Sequence, residues 1–84
     1  MTEQEIIGAL EMLGSSWRDW FLVGDPPAIS RWTSGGNLYG LVIKDETLWR
    51  ACVEYLRARS ARSFVSADEA TRVFHREYCV HKRA

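Results

Sequence analysis

The chain has 84 residues, 46% of them hydrophobic and 26% charged, with 11 basic and 11 acidic side chains and a formal net charge of zero. That length supports one small domain, residues 1–84, with a modest core, and the balanced charge argues against a protein that works mainly by coating nucleic acid. The apolar runs, such as Phe21-Leu22-Val23 and Leu41-Val42-Ile43, are far too short to span a membrane.

The opening Met1-Thr2-Glu3-Gln4-Glu5 is polar and acidic rather than a secretory signal, so a cytoplasmic protein with Cys52 and Cys79 as thiols is expected. Thr2-Glu3-Gln4-Glu5 is also a capping box, in which the Thr2 hydroxyl meets the Glu5 N–H. Ile6, Leu10, Leu13, Trp17 and Trp20 follow at three- and four-residue spacing and predict an amphipathic helix over 3–13, extending to about residue 22. Gly14 is suited to end a first helix in a left-handed conformation, with Ser15 or Ser16 capping a second short one.

Gly24-Asp25-Pro26-Pro27 terminates what precedes it, since consecutive prolines remove two donors and favour extended chain. Residues 28–33 and 38–44 flank Ser34-Gly35-Gly36-Asn37 and predict a β-hairpin around 28–44, with Leu41-Val42-Ile43 as its strongest strand. Asp45 is placed to cap a helix whose apolar face is Leu48, Trp49, Cys52, Val53 and Leu56. Residues 60–63 read as a break. Ser66-Ala67-Asp68-Glu69 is a second capping box, preceded by Val65 where a hydrophobic staple would sit. Ala70, Val73, Phe74 and Tyr78 then face the core. The fold class expected is α+β: a small, mostly helical domain of three to four helices with one hairpin.

Catalytic and metal chemistry find little footing in these residues. Cys52, His75, Cys79 and His81 carry zinc-ligating atoms, but no two cysteines are closely spaced, and His81 points about 200° round a helix from Cys79. A Cys79–His75 nucleophilic pair would sit on a helix face without an evident oxyanion donor. Glu5, Asp45, Glu46, Asp68 and Glu69 all occupy helix starts, where carboxylates have a structural use. The expectation is therefore no enzyme, no metal and no cofactor.

Four tryptophans in so short a chain are too many to hide completely, and partly exposed Trp with Arg is a common interface anchor. Arg31, Trp32, Tyr39 and Trp20 are the partner-binding candidates, with Trp32 and Tyr39 facing each other across the hairpin turn. Trp17, Trp20 and Trp49 compete for core roles. Alanine at Arg31 and Trp32 would then remove partner binding and leave thermal stability nearly unchanged. The function expected is a small non-catalytic module that regulates or inhibits a larger protein partner, of the kind phages and mobile elements use against host machinery. Zero net charge is also compatible with a homodimer. The alternative is a helix-turn-helix DNA-binding regulator that reads with helix 67–81 through Arg72 and Arg76, with Lys82 and Arg83 beyond. Asp68 and Glu69 at that helix's start count against it. Arg57, Arg59 and Arg62 read as a solvated helix end.

Overall fold

In the computed structural model, which describes residues 1–12, 14–59 and 62–79 (78 and 79 by their backbone), three α-helices surround a four-stranded mixed sheet. The first capping box forms helix α1 (Glu3–Glu11), where the Glu5 N–H donates to Thr2 Oγ1 at 3.2 Å. Gly14, at φ +80°, donates to the Glu11 carbonyl and closes the end of α1. Ser16 Oγ then accepts from the Arg18 N–H at 3.3 Å and starts a single 3₁₀ turn, Trp17–Asp19.

Helix does not continue to residue 22. Phe21–Val23 is instead strand β1, flanked by β2 (Ala28–Trp32) antiparallel and by β4 (Ser63–Phe64) parallel. The reason is burial on both faces. Leu22 packs towards α1 and towards the helix over Glu46–Ala58, while Phe21 and Val23 point the other way. A strand covered on both sides reads as a continuous apolar run, which periodicity alone cannot tell from a helix turn.

The hairpin of β2 with β3 (Leu38–Gly40) pairs Trp32 with Leu38, Arg31 with Tyr39 and Ser30 with Gly40. Its strongest expected strand does not form. Leu41 donates one last bond to the Ile29 carbonyl, and the chain then leaves the sheet with Val42 83% exposed. Continuing the register would set Ile43 opposite Pro27, which has no N–H to offer the ladder. The expected break at 60–63 also contains the start of β4, which reaches β1 through Leu22 N–H to Arg62 O and Gly24 N–H to Phe64 O. The sheet order is β3-β2-β1-β4.

Helix α2 (Glu46–Ala58) begins at Asp45, whose carboxylate accepts from the Leu48 N–H at 2.9 Å. It buries Cys52, Val53, Tyr55 and Leu56 with Ile6 and Leu10 of α1 and with Trp20, Leu22 and Ile29. On the opposite face of the sheet, Ala70 and Val73 of α3 (Ala67–Phe74) pack on Phe21 and Phe64, with Trp32 and Leu38 alongside. The order of layers is thus α1 and α2, sheet, α3.

Ser66 caps α3 as read, accepting from the Glu69 N–H at 3.1 Å, while the Glu69 carboxylate reaches back to the Val65 N–H. Val65 itself is 82% exposed and forms no staple. The expected helix 67–81 is α-helical to Phe74 and passes into a π-helical turn, His75–Cys79; its residues 80 and 81, and the Tyr78 side chain expected to face the core, lie outside the described residues. The Phe74 ring lies on the hairpin turn at Gly36, where φ is +82° and an added Cβ would fall 2.8 Å from a ring carbon. Only glycine satisfies both conditions.

Candidate functional site

Phe21 begins β1, Trp32 ends the antiparallel β2, and Arg62 leads into β4, so all three stand at the same end of the sheet. A groove of about 480 Å³ opens there, completed by the 3₁₀ turn and by Leu56 and Arg59 at the C-terminal end of α2. Four of its lining residues are arginines, Arg18, Arg31, Arg59 and Arg62, against a single carboxylate, Asp19.

Each guanidinium lies over an aromatic ring. Arg18 sits 4.7 Å from the Trp17 ring centre, and Arg59 lies 4.2 Å from that of Tyr55. Arg31 lies 5.0 Å from Tyr39 and 5.7 Å from Trp20, and Arg62 lies 5.2 Å from Trp32. The rings in turn are fixed by their neighbours. Trp17 meets Tyr55 edge-on at 5.3 Å, and Trp32 packs against Phe21, Phe64 and Phe74. Such stacking fixes long, entropically costly side chains in place.

Two of the four arginines already hold carboxylates. Arg59 donates to Glu3 at 2.8 Å, and the Tyr55 hydroxyl donates to the same oxygen. Arg62 grips Glu77 through two bonds of 2.8 Å. The hydrogen bond from Arg59, helped by that from Tyr55, holds the Glu3 carboxyl below the usual glutamate range; the bond from Arg62 does the same for Glu77. Among the described residues Arg18 and Arg31 have no ion-pair partner. The Trp20 indole N–H and Arg31 Nε are buried without an acceptor, a condition uncommon enough in folded proteins to require a cause.

The partner-binding candidates are thus brought together, though not on an open hairpin tip. Arg31, Trp32 and Trp20 all line the groove. Tyr39 is 43% exposed beside Arg31, but Trp20 is 2% exposed and belongs to the core. Trp32 is half-buried, lies on the other face of the hairpin from Tyr39, and pairs across the strands with Leu38. Trp49 packs half-buried against the core of α1 and α2. Sequence reasoning missed Arg18, Arg59 and Arg62 as groove residues; the Arg57, Arg59 and Arg62 cluster is the visible trace of the last two, and nothing local marks Arg18. Only Arg57 behaves as a solvated helix-end cation, pairing with Glu54.

Of the alternative candidates, Arg72 and Arg76 are exposed on α3 and its π turn. Lys82 and Arg83 lie outside the described residues. Helices α2 and α3 are separated by β4 and pack on opposite faces of the sheet, so the two do not form a helix-turn-helix pair. Among the described residues no three His, Cys, Asp or Glu side chains gather to hold a metal. Cys52 is fully buried, and that burial pushes its thiol up. His81 lies outside the described residues, as does the Cys79 side chain. No described helix is long and apolar enough to cross a membrane.

Comparison with protein-family models, with curated proteins and with solved structures finds no match.

Proposed function

We propose that the chain is a non-catalytic binding module that regulates or inhibits a larger protein, and that the groove over the sheet end is its contact surface. One observation carries this reading: Arg18 and Arg31, held over indole rings and without ion-pair partners among the described residues, line one concavity. Arginine and tryptophan in a recessed, pre-ordered setting are the residues on which interface energy concentrates. Rings and rigid strand ends fix the guanidinium groups beforehand, so less ordering is left to be done when a partner arrives.

The test is photo-crosslinking. A benzophenone side chain replaces Asp19, an exposed residue of the groove lining, and the protein is irradiated in lysate of its native host with and without nuclease treatment. A discrete adduct with a larger protein, lost when Arg31→Gln is added to the folded protein, is the expected result. An adduct only with nucleic acid before nuclease, or only with a second copy of the chain, would replace the heterologous protein partner by those ligands.

A further inference from the structure

We infer that the partner segment seated in this groove is acidic, a stretch of protein chain presenting at least two carboxylates to Arg18 and Arg31. The inference rests on the reading of the groove as the partner-contact surface and specifies the chemistry of what it contacts.

Charge is the first argument. Of the four guanidinium groups in the lining, Arg59 and Arg62 are neutralised by Glu3 and Glu77, which leaves Arg18 and Arg31 against the single lining carboxylate, Asp19. The uncompensated charge of the groove is therefore positive and lies on Arg18 and Arg31. Complementary potentials of that kind select partners and set their register.

The second argument is the molecule's own use of the groove. Arg59 and Arg62 are already engaged, and both hold carboxylates: Glu3 through one bond of 2.8 Å and Glu77 through a two-bond fork. Forked guanidinium–carboxylate pairs are geometrically selective as well as strong. Arg18 and Arg31 are the same group in the same groove without that partner. The open donors of the groove are thus the guanidinium heads of Arg18 and Arg31, and a carboxylate is acceptor-only.

The third argument separates an acidic peptide from a single-stranded nucleic acid, which would also meet the charge. Sequence-tolerant strand binding relies on free aromatic faces on which bases stack. Here guanidinium groups lie over the rings of Trp17, Trp20 and Trp32, and Trp20 is also buried. What remains presented is charge and N–H donors rather than ring surface.

The experiment titrates the full-length protein with three probes: a blocked peptide of alternating glutamate and glycine, its glutamine twin, and an oligo(dT) strand of equal length. Tryptophan emission and calorimetry report binding, at about 20 mM and about 200 mM salt, because exposed charge contacts weaken as the screening length shortens. The glutamate peptide should bind at least about tenfold more tightly than its twin, and R18Q/R31Q should lose about tenfold in affinity, the scale of one charge-assisted hydrogen bond. Arg50→Gln, at an exposed site paired with Glu46 and outside the groove, should change nothing. Melting curves verify folding, and R18Q alone decides the matter if the double variant is unfolded. Equal binding of both peptides, tighter binding of oligo(dT), or unchanged affinity in folded R18Q and R18Q/R31Q would overturn the acidic assignment. A cross-link from position 19 to a protein segment lacking Asp and Glu would also overturn it and leave the binding-module reading standing. Absence of any protein cross-link removes that reading itself.

Discussion

Gly36→Ala tests the docking of α3 over the hairpin, and its effect separates into two parts. Gly36 has φ +82°, which costs an alanine about 1–2 kcal/mol. Its new Cβ would also stand 2.8 Å from Phe74 Cε1 and 3.0 Å from Cδ1, and forcing that ring aside adds about 1–3 kcal/mol. The sum, about 3.5 kcal/mol in the middle of the range, lowers the melting temperature of a domain this size by about 14–28 °C. Two controls isolate the terms. Gly14 has φ +80° with nothing within 4 Å of its would-be Cβ, so Gly14→Ala should show only the backbone cost of about 1–2 kcal/mol. Gly35 lacks the positive φ and meets only Asn37 Nδ2 at 3.7 Å, so Gly35→Ala should be neutral or stabilising by up to about 1 kcal/mol. Thermal melts followed by circular dichroism rank the three. Adding Phe74→Ala should make the Gly36 substitution less harmful, with a coupling of about 0.5–3 kcal/mol. If Gly36→Ala melted no lower than Gly14→Ala, or if the pair were additive, the packing of Phe74 on the turn would be wrong.

Three further outcomes follow from the groove. Folding lowers the carboxyl pKa of Glu3 and Glu77 from an ordinary value near 4.5, so the unfolded chain takes up protons more readily than the folded one. The two pairs therefore stabilise fully above the ordinary glutamate range, and that contribution is lost as pH falls through the lowered folded values. Melts from neutral to acid pH should show this loss, and E3Q/E77Q should be less acid-sensitive; because all four side chains are well exposed the effect is small. An unchanged acid dependence in that variant would refute the pairing. Trp32→Ala should cost about 2–3 kcal/mol, below the roughly 3–5 kcal/mol of a fully buried aromatic because Trp32 is half-buried. Arg18→Ala should leave stability within about 0.5 kcal/mol of the parent. Equal melting temperatures for Trp32→Ala and the parent would return Trp32 to the role of a free surface anchor.

Helix starts and turns were legible because their chemistry is local. Thr2, Asp45 and Ser66 each place an oxygen three residues from the N–H it accepts, and Gly14 and Gly36 carry positive φ where the chain must reverse or stop. The stripes from Leu48 to Leu56 and at Ala70 and Val73 likewise report a one-sided burial that periodicity records. Strands β1 and β4 were not legible, for opposite reasons. Phe21-Leu22-Val23 is buried on both faces and so shows no alternation, whereas Ser63-Phe64 is too short to show any pattern at all. Leu41-Val42-Ile43 misled because its composition suits a strand while the partner position it needed is held by Pro27.

The candidate site has the same division. The hairpin is legible but its register is not: the expected facing pair is Trp32 and Tyr39, whereas Tyr39 stands opposite Arg31 and Trp32 opposite Leu38, a one-residue difference that moves Trp32 to the other face. Arg18, Arg59 and Arg62 come from three other segments, and no local rule links them to Arg31. Arg57 and Arg59 differ by only two positions, yet Arg57 turns to Glu54 and Arg59 to the groove, as their separation of about 200° round the helix requires. Arg62 reaches the groove because Ser63 pairs with Leu22 in parallel register, which sets Arg62 beside the start of β1 and over the Trp32 ring. Arg62's place among the groove arginines is therefore a consequence of the β1–β4 pairing, a contact between segments about forty residues apart that only the folded chain exhibits.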